Sequence, residues 1–415
     1  MGSLRISRTL PTETEAKTVA GRLSPEKPDS GTLIPLCVPE ISGNAWAYVR
    51  ECLDTGWVSS VGSFVDRFER TMAEYVGTPY AVATVNGTAA LHIALLAAGT
   101  QPEEEVLIST LTFVAPANAI RYCGAWPVFM DADPQYWQID PEKMKDFLEK
   151  ECQWRDGGLW NRQTNRRVRA ILPVHVLGHP CDMEPILELA QKYKLTVIED
   201  ATECLGARYR GQMAGSLGDI ACFSFNGNKI ITTGGGGMIV TRNAAWASRA
   251  KHLTTQAKSD PVEYLHDEIG YNYRLVNLLA ALGCAQLEQL DTFIARKREI
   301  ANTYRRAFAD LPGVSCMRKA EWAESIDWMF TVFLHPDVPC GRRTLMNSLQ
   351  AKHIQTRPLW CPLHRLPMYV QSQGYRIEMA DRLYEGCLSL PCSVSLKDDE
   401  QKRVVDAVFS IVRGQ

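Results

Sequence analysis

The sequence contains no apolar run long enough for a secretory h-region or a membrane span, so neither export nor membrane insertion is expected. It has almost no net charge: 45 basic and 47 acidic residues are interleaved and leave −2, so no nucleic-acid-binding face is expected. Repeats and low-complexity tracts are absent. No C-x-x-C pair occurs, although there are thirteen cysteines, an odd number scattered along the chain. That pattern argues against a disulfide scaffold and for free, buried thiols in a reducing compartment, hence a cytoplasmic protein. Metal-ligand spacing is missing too. His175 and His179 stand four apart, but Gly178 and Pro180 break any helix that would put them on one face, so no metal site is expected. What is present is an ordinary globular balance: 46% hydrophobic and 22% charged residues over 415 positions, enough for a large core and a second domain.

One stretch stands out, FSFNGNKIITTGGGGMIVT from Phe223 to Thr241. Lys229 lies between an apolar strand (Ile220 to Phe225) and four glycines, with no other charged residue from Ile220 to Thr241. A lysine kept from water and from carboxylates becomes a usable amine nucleophile, although a loop lysine beside a glycine turn would look the same. A Walker A loop is excluded because its lysine follows the glycines. A dinucleotide fingerprint is excluded because its third glycine would fall at Ile239, inside a strand.

Along the chain, residues 1–31 are rich in Ser, Thr, Pro and charge and read as a mobile tail. Helical spacing around Trp46, Val49 and Leu53, and again from Val65 to Tyr75, predicts two helices joined by the loop Gly56 to Gly62. A strand from Tyr80 to Val85 leads through Asn86-Gly87-Thr88 into a helix from Ala89 to Ala98. Its start is either a phosphate seat or an ordinary cap. Strands at 105–109, 127–131, 170–175 and 196–199 then alternate with helices at 115–122, 141–152 and 183–193. Such alternation predicts a mainly parallel sheet covered on both faces, with ligands beyond the carboxyl ends of its strands. Thr88, Phe113 and Asp200 fall there. Asp200 could equally cap a helix or face a ligand, whereas Phe113 by itself reads as a core aromatic before a ligand contact. A hairpin over 207–218, turning at Arg210-Gly211, precedes the lysine stretch. After a helix at 244–253 and the segment HDEIGYNYR, a long helix with kinks is expected from about Val276 to Ala309. From Gly313 the pattern resets to a strand (328–334), a helix (342–352), the loop QTRPLWCPLH and a last helix (398–412). The division expected is a large domain over 32–275, a linking helix over 276–312 and a small α+β domain over 313–415.

Together these signals match what pyridoxal phosphate requires: a lysine for the aldehyde, a strand-end aspartate for the pyridine nitrogen, amides and hydroxyls for the phosphate, and a flat apolar neighbour for the ring. The motifs NGTAALH, TFVAPANAI, PVHVLGHPCDM, IEDATECLGA, GDIACFSFNGNKIITTGGGGMIVT and HDEIGYNYRLVNLLAALG resemble the DegT/StrS family of sugar aminotransferases from about Ile34 to the C-terminus. The phrases GWVSSVGSFVDRFE and FNGNKIITTGGGG are most similar to its LegC-like branch, which acts on nucleotide-linked 4-keto-6-deoxy N-acetylated hexoses for bacillosamine or legionaminic-acid-type glycans.

The resemblance implies an α/β type I aminotransferase fold and a homodimer with active sites at the subunit interface. It assigns Lys229 to the cofactor's aldehyde and to proton transfer, and Asp200 to the pyridine nitrogen. Thr88, Ala89 and Ser224 would hold the phosphate, Phe113 would stack on the ring, and Asn272 would reach the phosphate of the other subunit's site. Glu203 departs from the pattern, since the family often has Gln there, near the cofactor's phenolic oxygen. L-Glutamate is the implied amino donor. Arg357 and His364 would bind the glutamate carboxylate or the sugar diphosphate. The glycines would form a side-chain-free turn close to the cofactor and to a partner subunit. A sugar dehydratase of the family carries His in place of the lysine, so Lys229 argues against that alternative. A regulatory relative that had lost turnover would be expected to lose Lys229 or Asp200.

Overall fold

The structure is a computed structural model that describes residues 31–414. Apart from Gly31, the expected tail lies outside the described residues. From Ile34 onward the chain forms one compact unit.

Seven strands build the body of a ten-stranded sheet: β1 (Tyr80–Thr84), β2 (Glu105–Ser109), β3 (Trp126–Met130), β4 (Arg167–Leu172), β5 (Thr196–Asp200), β6 (Ile220–Ser224) and β7 (Gly237–Thr241). Their order is β1-β7-β6-β5-β4-β2-β3. The short strand Gly374–Tyr375 lies beyond β3, and β7 runs antiparallel to both its neighbours. The pairs β5–β6, β4–β5, β2–β4 and β2–β3 are parallel, so β1, β2, β5 and β6 all end at one edge of the sheet. Both faces are covered, as the near-continuous apolar runs require. Cys222 and Ile198 face one core with Val106 and Ile108, whereas Phe223 packs in a second core and Val197 with Leu107 in a third. Between the first face and its outer helices lies the helix Gly87–Ala97, nearly all of it buried, which suits its all-round apolar sequence.

Several elements differ from expectation. The long helix over 276–309 is two helices, Asn277–Leu287 and Leu290–Phe308. At the break, the Glu288 carboxylate takes bonds from Asn44, Tyr48 and Arg67 at 2.8–2.9 Å. β4 stops at Leu172, because Pro173 offers no amide and the chain turns into a 3-10 segment, Val176–Gly178. The helix expected to reach Cys152 ends at Lys150, and Cys152–Arg155 instead forms a hairpin with Gly158–Asn161. Its turn holds Asp156 and Gly157 at φ 50° and 71°, a two-residue Asp-Gly signal legible in the sequence.

Beyond residue 313, four antiparallel strands, Val314–Cys316, Phe330–Leu334, Cys387–Leu390 and Arg357–Pro358, pack with the helix Asp398–Arg413 over their own apolar core, which also takes in Ile34. The chain also returns to the large sheet here. Gly374–Tyr375 pairs with β3, and the unexpected helix Met379–Gly386 starts on Asp131, whose carboxylate accepts the amides of Glu378, Met379 and Ala380 at 2.8–3.0 Å.

Candidate functional site

At the edge where β1, β2, β5 and β6 end lies a cavity of about 320 Å³, within the range of small-molecule sites. Lys229 reaches it from a loop that follows β6. Phe225 closes the loop by bonding the amide of Thr233 and the carbonyl of Gly236, and a turn from Asn226 O to Lys229 N (3.0 Å) sets the lysine at its tip. The Trp328 indole N–H holds Asn228 O at 2.8 Å, and its ring lies 4.3 Å from the Lys229 ammonium. The Lys229 side chain is 12% exposed. It is not remote from carboxylates, as its stretch of sequence suggested, for Glu203 Oε1 stands 3.6 Å from Nζ. Sequence distance concealed this: Glu203 arrives on the turn after β5, where its other oxygen accepts the Leu177 amide at 2.9 Å. Burial pushes the Glu203 carboxyl up, and the Lys229 charge partly opposes that.

Asp200 ends β5, fixed by its own amide to Pro173 O (2.9 Å) and its carbonyl to the His175 amide (3.1 Å). Its carboxylate is buried and accepts the Thr202 amide at 3.1 Å. No cation comes within ion-pair distance among the described residues, and burial pushes its acid up. The cavity therefore presents a buried acid that lacks a cationic partner. Behind it, Glu199 takes the His175 Nε2–H at 2.9 Å and the amides of Gly215, Leu217 and Gly218 at 2.6–2.8 Å, while His175 Nδ1 accepts the Cys181 amide. These bonds brace the end of β5.

On the other side, Asn86 caps the helix Gly87–Ala97 by accepting the Ala89 amide at 2.7 Å. The Ala89 amide is thus taken, and Ala89 does not line the cavity; Gly87 and Thr88 keep first-turn amides with no partner inside the helix. A Cβ on Gly87 would lie 2.8 Å from Ser224 Cβ, so the helix start and the β6 hydroxyl sit side by side as an anion cradle. Phe113 is 53% exposed, a wall of the cavity and not a core aromatic.

The structure brings Thr88, Phe113, Asp200, Glu203, Ser224 and Lys229 together and leaves Ala89, Asn272, Arg357 and His364 outside. Asn272 is exposed and bridges Thr255. The Arg357 guanidinium bonds Thr356 O at 2.9 Å, and the His364 ring meets Thr110 Oγ1 at 2.9 Å and Asp381 at 3.5 Å. Gly234–Gly237 do not line the cavity either; Gly237 packs against the Asn86 backbone. Sequence reasoning missed Thr202 and Asn228, each within two residues of a predicted site residue, and Trp328 and Trp360, which come from beyond residue 313 and carry no local signal.

The donor set fits pyridoxal phosphate: a buried acid without an ion-pair partner for the pyridine nitrogen, neighbouring amides and a hydroxyl for the phosphate, and an amine in the same cavity. A sequence profile of the DegT/DnrJ/EryC1/StrS aminotransferase family matches residues 39–409. The chain is 39% identical over 380 residues to a GDP-perosamine synthase of Caulobacter vibrioides, covering 91% of this chain and 98% of that one. It is 40% identical over 375 residues to the GDP-perosamine synthase of Escherichia coli O157:H7, covering 90% and 97%. Among solved structures, the aminotransferase TlmJ from Streptoalloteichus hindustanus superposes with a TM-score of 0.83 at 26% identity, over 92% of this chain and 99% of that one.

Proposed function

Because the chain belongs to the DegT/DnrJ/EryC1/StrS aminotransferase family, whose members work with pyridoxal phosphate, we propose that it moves the amino group of L-glutamate to the C4 ketone of a nucleotide-linked 4-keto-6-deoxyhexose. The product would serve surface-glycan synthesis. The observation that carries this reading is Lys229 and the buried Asp200, which has no ion-pair partner, lining one cavity. The relatives named for GDP-perosamine favour a GDP-linked sugar over the N-acetylated bacillosamine or legionaminic-acid precursors that the sequence phrases suggested.

Bound pyridoxal phosphate supplies an aldehyde for amines to condense with and a ring that accepts electrons from a carbon losing its proton. This chain's residues do the rest. Asp200 holds a proton on the pyridine nitrogen, and the Gly87 and Thr88 amides with the Ser224 hydroxyl bind the phosphate. Phe113 flanks the ring. Lys229 Nζ takes the proton from, or returns it to, the substrate carbon that bears the amine, and the Trp328 ring beneath it excludes water from that nitrogen. Asn272, exposed on its own chain, completes the site of a second copy, so the working unit is a homodimer. Thirteen free cysteines suit a reducing cytoplasm, and no helix among the described residues is long and apolar enough to cross a membrane.

The purified protein is expected to be yellow and to bleach with L-glutamate; the colour should return with a 4-keto-6-deoxy sugar linked to GDP, tested beside its UDP and dTDP counterparts. Return with none of the sugars but with simple keto acids would overturn the sugar assignment. Lys229→Ala should be inactive, and transfer by that variant at the parent rate would remove the lysine from its role.

A further inference from the structure

Behind the cavity lies a buried cluster that the proposed reaction does not use. Lys297, on the helix Leu290–Phe308, is 2% exposed, and its ammonium donates to Trp328 O and Cys392 O, both at 2.6 Å. Its other neighbours are sulfurs, Cys392 Sγ at 3.5 Å and Cys37 Sγ at 3.8 Å. Among the described residues no carboxylate approaches within ion-pair distance. A buried ammonium surrounded by carbonyls alone is an uncompensated charge, and the group placed to compensate it is a thiolate. Cys392 is the nearer sulfur and is buried. The hydrogen bond from the Cys37 thiol, together with the Lys297 charge and against burial, holds its thiol down to about 6. Cys37 is partly exposed and keeps the shared proton.

The two cysteines lie on adjacent backbones. The Cys392 amide bonds Leu36 O at 2.8 Å, and the Val38 amide bonds Ser393 Oγ at 3.0 Å. The Leu36–Cys392 backbone bond sets Cys37 beside Cys392, and both sulfurs reach the same Lys297 ammonium, a placement compatible with the roughly 4.4–6.8 Å Cα separation that a disulfide spans. The cluster also touches the lysine loop. The Cys37 thiol donates to Asn228 O at 3.5 Å. Trp328, whose carbonyl holds Lys297, bonds the same oxygen through its indole and lies under Lys229.

We propose that Cys37 and Cys392 form a redox modification site, in which hydrogen peroxide joins the two sulfurs as a disulfide beneath the Lys229 loop. The pair shares one proton, which rests on Cys37; its transfer to Cys392 makes the partly exposed Cys37 the attacking thiolate. Cys37 attacks peroxide, the O–O bond breaks, and Cys37 becomes a sulfenic acid; the hydroxide released takes the pair's proton and leaves as water. The Cys392 thiolate then displaces hydroxide from the Cys37 sulfur, forming the S–S bond, and that hydroxide is protonated by solvent. The two sulfurs lose two electrons and peroxide gains two. Oxidation removes the Cys37 donor from Asn228 O and the anion from Lys297, and both losses fall on the residues that position Lys229.

The proposal rests on the proposed function only for its activity readout. The full-length holoenzyme is treated with hydrogen peroxide, alkylated, mapped by mass spectrometry and assayed. A peptide pair joined through Cys37 and Cys392 should rise with peroxide dose while amine transfer falls several-fold, and dithiothreitol should reverse both. Cys37→Ser should keep its activity in peroxide. Inactivation without that peptide pair, a cross-link to Lys297 in its place, the disulfide with unchanged activity, or a Cys37→Ser variant as sensitive as the parent would each overturn the proposal. If no sugar turns over, the mapping decides the disulfide and the bleaching by L-glutamate serves as the readout.

Discussion

Asp200 illustrates how burial turns one residue into a site. A carboxylate at the end of an apolar strand needs a positive partner, and no cation among the described residues comes within ion-pair distance of it, Lys229 in the same cavity included. Burial pushes its acid above the usual aspartate range, while the form that pairs with a protonated pyridine is the carboxylate. Cofactor affinity should therefore be full above that raised value and decline as pH falls through it. Asp200→Asn should bind about tenfold or more weakly, roughly 1.4 kcal/mol, and lose this pH dependence. Fluorescence titration of the cofactor-free protein from neutral pH downward measures both, and superimposable curves for parent and variant would refute the pairing. Glu203 shows the converse limit. Its role beside Lys229 follows from a turn after β5 that brings together residues 26 positions apart in the chain.

Among the elements, the glycine run and the helix it abuts form one device. A Cβ on Gly237 would lie 2.5 Å from Asn86 O and 2.6 Å from Thr84 Oγ1, whereas one on Gly235 would meet only Val85 O at 3.9 Å. The four glycines are thus unequal. Gly237 lets β7 approach the residue that caps the helix Gly87–Ala97, Gly236 packs against Thr233, where a Cβ would collide with its Oγ1, and Gly234 and Gly235 shape a turn. Gly237→Ala should displace the Asn86 cap and weaken cofactor binding by about 1 kcal/mol, roughly fivefold, with Gly235→Ala close to the parent. Equal affinities for the two variants would separate the glycine run from the phosphate seat. The strands and helices of the large sheet were legible because hydrophobic period and turn residues mark them locally. The short strands Arg357–Pro358 and Gly374–Tyr375 were not, since two residues carry no period and exist because a neighbouring strand accepts them.

On the scale of the molecule, Asp131 ties the C-terminal third to the large sheet. Its carboxylate is fully buried, pairs with Lys143 at 2.6 Å and caps the helix Met379–Gly386 through three amides. Burial raises its acid, but the Lys143 ammonium and those amides outweigh burial and hold it below the usual range. A depressed carboxyl stabilises the fold above the unfolded value of about 3.9, and that contribution is lost as pH falls through the folded value. Asp131→Asn should cost about 3 kcal/mol at neutral pH, with the gap to the parent closing in acid. Urea midpoints across pH test it, and a constant gap would contradict the linkage. The proposed homodimer makes a second whole-molecule prediction. Lys229→Ala and Asn272→Ala, each inactive or weak alone, should recover part of the activity when mixed and allowed to exchange subunits. No recovery in exchanged mixed dimers would place Asn272 outside the partner's site.

The sequence by itself determined the alternating α/β order, the exclusion of nucleotide loops, and Lys229, Asp200, Thr88 and Ser224 as a set, because strand ends, caps and glycines act over a few residues. Only the tertiary structure decided that Phe113 faces a cavity, that Glu203 meets Lys229, that Ala89 spends its amide on Asn86, and that Trp328 and Trp360 close the site from beyond residue 313. Those contacts join segments far apart in sequence, and the burial that makes a carboxylate, a thiol or an ammonium seek a partner exists only once the core has closed around it.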